Sequence, residues 1–172
     1  MKALLNTLGE LLARKAPHEH STLLPGTTDL SPLTTRLPLP LHPDLVALWE
    51  WHDGTDHRVP SPFEIAPPCV FESVDTAART WDQQQAFREI YPHMPWRPEW
   101  VPIGSDGCGG LLVVDHTPAS DFRVFNAFIE AGDFVHVVAE SPRAMIADLV
   151  TRLRDDVPAD PWTRYDQPYP FA

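Results

Sequence analysis

The stretch that most constrains the fold is Trp100-Val-Pro-Ile-Gly-Ser-Asp-Gly-Cys-Gly-Gly-Leu-Leu-Val-Val-Asp-His116, two apolar segments joined by a glycine-rich turn. Segments of this kind, each short and bounded by turn residues, read as strands. The strand period covers Trp100 to Gly104, Leu111 to His116, Phe122 to Ile129 and Phe134 to Ala139, with Glu130-Ala-Gly-Asp133 as a hairpin turn. Four successive strands with short connections imply an antiparallel sheet. Val124, Phe125, Phe128 and Ile129 place apolar groups on both faces of one strand, so part of that sheet must be covered on both sides.

Helices have to do the covering. Leu4, Leu5, Leu8, Leu11 and Leu12 recur at helical spacing and end at Arg14-Lys15, cations that suit a helix C-terminus. A second helix starts at Pro43 and Asp44, buries Leu41, Leu45, Leu48 and Trp49, and is expected to stop at Gly54. Ser73 caps a third helix reaching about Ile90, with Val74, Ala77, Ala78 and Trp81 inward. Ser141-Pro142 opens the last, whose stripe is Met145, Ile146, Leu149, Val150 and Leu153. Residues 58 to 71 hold at most short edge strands, around Phe63 to Ile65 and Cys69 to Phe71. From His18 to Pro40 no period is visible, and an extended, mobile connection is expected there.

The chain's 172 residues, 43% of them hydrophobic, suffice for one domain with an ordinary core. Thirteen Lys and Arg against 24 Asp and Glu leave a formal charge of −11, which repels phosphate backbones and anionic lipid. Direct nucleic-acid or membrane binding is therefore disfavoured, whereas an acidic surface speeds encounter with a basic protein and is also a common route to solubility. Two cysteines, Cys69 and Cys108, form neither a disulfide framework nor a zinc spacing. No secretory leader or apolar span is legible, so a cytoplasmic protein is expected. Its state is expected to be monomeric or weakly dimeric.

A second set of residues gives the order of elements a family likeness. Leu37-Pro38 leads into Leu48-Trp49 and His52-Asp-Gly54; Trp100-Val-Pro102, Gly107, Gly109-Gly110 and Asp115 follow with compatible gaps. In that order the chain resembles the SUKH superfamily, which includes fungal Smi/Knr cell-wall regulators and many bacterial proteins. The resemblance spans roughly residues 37 to 155. It divides the chain into an N-terminal helix and irregular Pro-rich segment (1–36), the SUKH-like domain (37–155), and a Pro-rich aromatic tail (156–172) expected to pack back through Trp162, Tyr165, Tyr169 and Phe171. It implies an α+β fold: a bent, mainly antiparallel sheet of four to six strands packed with about four helices. It also implies no enzymatic chemistry and no cofactor. Bacterial members act as immunity proteins against toxins, often nucleases, and fungal members as regulatory interaction modules. A basic toxin domain covered at its active cleft is thus the expected partner, and an intracellular regulatory or scaffold module the alternative.

The residues expected to meet a partner are Asp53, Asp56, His57 and Asp106, polar groups on exposed turns. Enzymatic readings of the same region are weaker. Trp51-His-Asp-Gly-Thr-Asp-His57 has metal-like spacing but lacks further ligands at helical spacing elsewhere. Gly104-Ser-Asp-Gly-Cys-Gly-Gly110 lacks the Lys-Ser/Thr pair of a phosphate loop and precedes a strand. Cys108, His116 and Asp115 could be imagined as the triad of a small hydrolase, but adjacent strand residues face opposite sides. His18-x-His20 lies in the irregular segment and reads as solvated.

Overall fold

Alternation along β5 (Trp100–Ser105), β6 (Gly110–Asp115) and β7 (Val124–Phe128) decides the architecture. Val101, Ile103, Leu112, Val114 and Val124 enter one core, whereas Trp100, Leu111, Val113, Phe125 and Ala127 enter a second. This part of the sheet is therefore buried on both faces, as the apolar pairs in the sequence require. The computed structural model describes residues 1–117, 120–128 and 134–157. Within them lie a six-stranded antiparallel sheet, ordered β3-β4-β5-β6-β7-β8, and a two-stranded ribbon, β1-β2. Here β1 is Leu23–Pro25, β2 His52–Thr55, β3 Glu64–Ala66, β4 Cys69–Phe71 and β8 Phe134–Ala139. Register irregularities between Glu64 and Ala66, Pro102 and Gly104, and Val124 and Phe125 bend the strands that carry them.

The larger core is covered by α1 (Lys2–Lys15), α4 (Pro43–Trp51) and α6 (Pro142–Asp155). Leu5, Leu8, Leu11 and Leu12 of α1 meet Leu45, Leu48 and Trp49 of α4 and Met145, Ile146 and Val150 of α6. The starts of α4 and α6 are also tied by a two-pronged ion pair, Arg143 to Asp44, at 2.8 and 3.2 Å. Helix α5 (Val74–Ile90) begins where Ser73 Oγ accepts the Thr76 N–H, the cap expected from sequence. Its Val74, Ala77 and Ala78 join the larger core, while Trp81 packs against both. The second core is aromatic: Trp100 sits edge-on to Trp96 at 5.7 Å and to Phe125 at 4.6 Å.

Two sequence expectations change. The segment from His18 to Pro40 is structured, holding the end of α2 (Pro17–Ser21), then β1 and α3 (Ser31–Thr34). Leu33 of α3 is fully buried. One-turn helices led by proline are too short to show a period, and β1 forms only because β2 pairs with it. Gly54 does not stop α4, which runs straight into β2 through an extended His52. It is instead needed, at φ +77°, because a Cβ there would collide with the Ser73 amide. The Glu130–Asp133 turn and the tail aromatics from Trp162 onward lie outside the described residues.

Several motif residues explain themselves in this setting. Leu37 packs partly buried against the larger core and Pro38 is exposed on the bend before α4. Trp49 is fully buried and its Nε1–H donates to the Glu72 carbonyl at 3.0 Å. Pro102 faces Val113 across β5 and β6. Asp115, at the end of β6, accepts from both the amide and hydroxyl of Thr117. His116 is buried, and its Nε2 accepts the His42 N–H at 3.1 Å while Nδ1 lies 3.3 Å from the Val114 carbonyl. An acceptor Nε2 requires a neutral ring, and burial, aided by His42, accordingly pushes the His116 pKa down.

This packing can be tested at Trp49 and at the buried histidines. Trp49→Phe removes the donor and leaves the Glu72 carbonyl buried, so equilibrium denaturation should show a loss of about 2–4 kcal/mol. His52, half-buried beside His20, is also shifted down, chiefly by burial. A lowered native pKa means the unfolded chain takes protons first. Stability should therefore be fully present above about pH 6.5 and decline as the pH falls below it. His116→Gln, whose amide oxygen can still accept from His42, should flatten part of that decline in thermal melts between neutral and mildly acidic buffers.

Candidate functional site

Of the four residues singled out in the sequence, His57 reaches the carboxylate of Glu72, which sits between β4 and α5. Glu72 is only 4% exposed. Its backbone is pinned from both sides: its N–H donates to the Ile103 carbonyl at 3.0 Å and its carbonyl receives Trp49 Nε1. Its side chain accepts from Ser105 Oγ through Oε1 and faces His57 Nε2 at 3.1 Å through Oε2. His57 is about half exposed. When protonated it completes an ion pair whose acidic half is buried and whose basic half is in solvent.

Asp53 and Asp106 flank this centre. Asp53 Oδ1 accepts the Val74 N–H at 2.8 Å, so β2 caps α5 from outside the helix's own sequence. Asp106 Oδ1 accepts from Cys108 and Gly110 at 2.7 and 2.8 Å and holds the β5–β6 turn closed. That turn needs φ values of +72° at Gly107 and +101° at Gly109. Glu64, on β3, completes the group. It forms no ion pair among the described residues, and partial desolvation raises its carboxyl above the usual range.

Asp56 behaves differently. Arg58 grips it with Nε and a terminal nitrogen, both at 2.8 Å, and donates its own backbone N–H. These bonds, the side-chain ones foremost, pull the Asp56 pKa down to about 2. Its charge is thus largely answered within the same turn. Asp53, Glu64 and Asp106 have no Lys or Arg partner among the described residues. The face is acidic, stiffened by backbone capping, and open to cations from outside.

Sequence reasoning missed Glu64, Glu72 and Ser105. The available signal was a carboxylate directly after the apolar run Cys69-Val-Phe71 and directly before a helix cap. Glu72 reaches Ser105 across 33 positions, and only the β4–β5 pairing brings them together.

The nucleophile and metal readings find no support in this geometry. Cys69 is buried, and burial together with Asp106, Glu64 and Glu72 pushes its thiol up to about 12. It stays a neutral thiol under ordinary conditions. Cys108 is exposed before β6 whereas His116 lies past its far end, about 20 Å away for six strand residues. His52 Nδ1 is engaged with the Leu24 carbonyl at 2.6 Å. Among the described residues no three His, Cys, Asp or Glu side chains converge to hold a metal ion. No described helix is long and apolar enough to cross a membrane.

The Asp56–Arg58 grip gives a direct test. In NMR titrations the Asp56 carboxyl should protonate near pH 2, and Arg58→Gln should return it toward about 3.9. Because the native pKa is the lower one, the ordering of this turn is present above pH 4 and is lost as the pH falls through about 2.

A search of curated proteins found no match to the chain. The family model of the SMI1 / KNR4 family (SUKH-1) matches residues 26–148. It runs from α3 into the first half of α6, including every strand of the six-stranded sheet and every residue of the acidic face. With most of its length matched in this way, the chain belongs to the SMI1 / KNR4 family (SUKH-1).

Proposed function

We propose that this protein is a non-catalytic immunity protein of the cytoplasm, which neutralises a basic toxin by covering its active cleft. The observation that carries the reading is the acidic face around Glu72. Asp53, Glu64 and Asp106 lack a cationic partner among the described residues, in a chain of formal charge −11. Membership of the SUKH-1 family supports a role in protein binding. Nuclease toxins must present Lys and Arg to a phosphate backbone, and preorganised carboxylates are suited to occupy those same positions. Neutralisation is then steric and electrostatic, at one copy of each protein.

The capping bonds matter to how this works. Asp53 and Asp106 each spend one oxygen on backbone N–H groups, which fixes the side chain and leaves the other oxygen for a partner's cation. A fixed carboxylate loses little conformational freedom on binding. It also steers encounter at long range, so the effect belongs mainly to the association rate.

The test uses substitutions that remove charge and keep the caps. Asp53→Asn, Glu64→Gln and Asp106→Asn together should slow association with the toxin domain encoded beside this protein's gene by about tenfold or more at low salt. The salt dependence of that rate should shrink in parallel, with the thermal midpoint little changed. Unchanged association would remove the acidic face from the interface. A gene neighbourhood without any toxin, or no complex with its product, would leave the regulatory-module reading in its place.

A further inference from the structure

Beside Ser105, which pairs with Leu111 across β5 and β6 and donates to Glu72, lies an open groove of about 490 Å³. Its apolar wall comes from Phe87 of α5, from Tyr91, Met94 and Pro95 of the following linker, and from Leu111 of β6, with Gly109 at the turn. Tyr91, on its wall, is 46% exposed, a large apolar group held in water. Gln84, also on the wall, keeps its Oε1 buried without a hydrogen-bond donor among the described residues. Such an orphaned acceptor is costly unless something supplies the donor. Volume and composition match a site that takes one large side chain and a few polar contacts.

The groove is continuous with the acidic face. Gly109 and Leu111 line it; Leu111 pairs with Ser105, which bonds Glu72 and pairs with Val70, the partner of Glu64, and Asp106 closes the turn between β5 and β6. We propose that the groove is the anchor pocket for the basic partner: a segment of that protein inserts an aromatic side chain between α5 and β6 while its neighbouring Lys or Arg residues meet Asp106 and Glu64. The inference rests on the reading of the acidic face as a partner surface. Charge complementarity selects this occupant. The carboxylates at the turn demand cations next to the apolar anchor, which a second copy of a strongly acidic chain is poorly placed to provide.

Binding of a labelled Lys-Lys-Trp-Lys-Lys peptide to the full chain, followed by fluorescence polarisation and amide NMR, tests this. Comparison peptides replace Trp by Ser, or every Lys by Gln. The Trp and Lys peptide should bind about tenfold more tightly than either, and should shift amides of Gln84, Phe87 and Leu111. Tyr91→Ala and Gln83→Trp, both at exposed positions, should abolish the advantage of Trp over Ser. Glu64→Gln with Asp106→Asn should abolish the advantage of Lys over Gln. If the Lys advantage persists but Trp gives none, the groove proposal fails and the acidic-face reading stands. If neither matters, both fail. Concentration-dependent dimerisation lost in Tyr91→Ala would assign the groove to a second copy and overturn the proposal. Groove amides that move on Trp162→Ala and Phe171→Ala in the peptide-free chain would assign it to the chain's own tail and overturn the proposal as well.

Discussion

A buried hydrogen bond, from Trp49 Nε1 to the Glu72 carbonyl, ties α4 to the end of β4 just before α5. It links α4 and the β1–β2 ribbon to the junction of β4 and α5 at a point with no water to compete. Gly54 lets β2 run against the same backbone one residue further on, and Asp53 uses that closeness to cap α5. The acidic face is a by-product of this contact. If β2 stood further from residues 72–73, Asp53 would lose its donor and His57 would not reach Glu72. Fold and site therefore share one determinant, and a defect in the tryptophan contact must appear in both.

Placing several carboxylates together costs repulsion, and the structure offsets it without neutralising the surface. Backbone N–H groups answer Asp53 and Asp106, a hydroxyl and an imidazole answer Glu72, and only Asp56 receives an arginine. Partial dipoles of this kind hold a charge in place and leave most of its field outside. A guanidinium would have cancelled it. The distinction separates a structural ion pair, Asp56 with Arg58, from groups arranged to attract a cation from elsewhere.

What could be read from sequence follows the range of the interactions involved. Helices α1, α5 and α6 and strands β5 to β8 were legible because each repeats its pattern over enough residues to show a period, and because Ser73 and Ser141 are local caps. The one-turn helices α2 and α3 and the β1–β2 ribbon were not, since proline-led turns carry no period and β1 exists only through Thr55 and His52. At the site, Asp53, Asp56, His57 and Asp106 stood out as polar residues on turns. Glu72 did not, because its meaning depends on Ser105 and Trp49, brought to it by strand pairing and by α4. Local chemistry finds the rim of such a site, and long-range topology finds its centre.

The pairing of a charged rim with an apolar groove has a kinetic logic. Charges act over about 8 Å at physiological ionic strength and raise the rate at which a basic partner arrives, but solvated pairs add little to its residence. Buried apolar contact does the reverse: it is short-ranged and indifferent to salt, and it governs dissociation. A blocker that relied on the acidic face alone would release its target as ionic strength rose. One that relied on the groove alone would capture any protein with an exposed aromatic residue. Requiring both at fixed separation, across the single turn held by Asp106, makes selectivity a matter of spacing. The rigidity of that turn, with its two left-handed glycines and doubly bonded aspartate, is then what converts two weak and unspecific attractions into one specific contact.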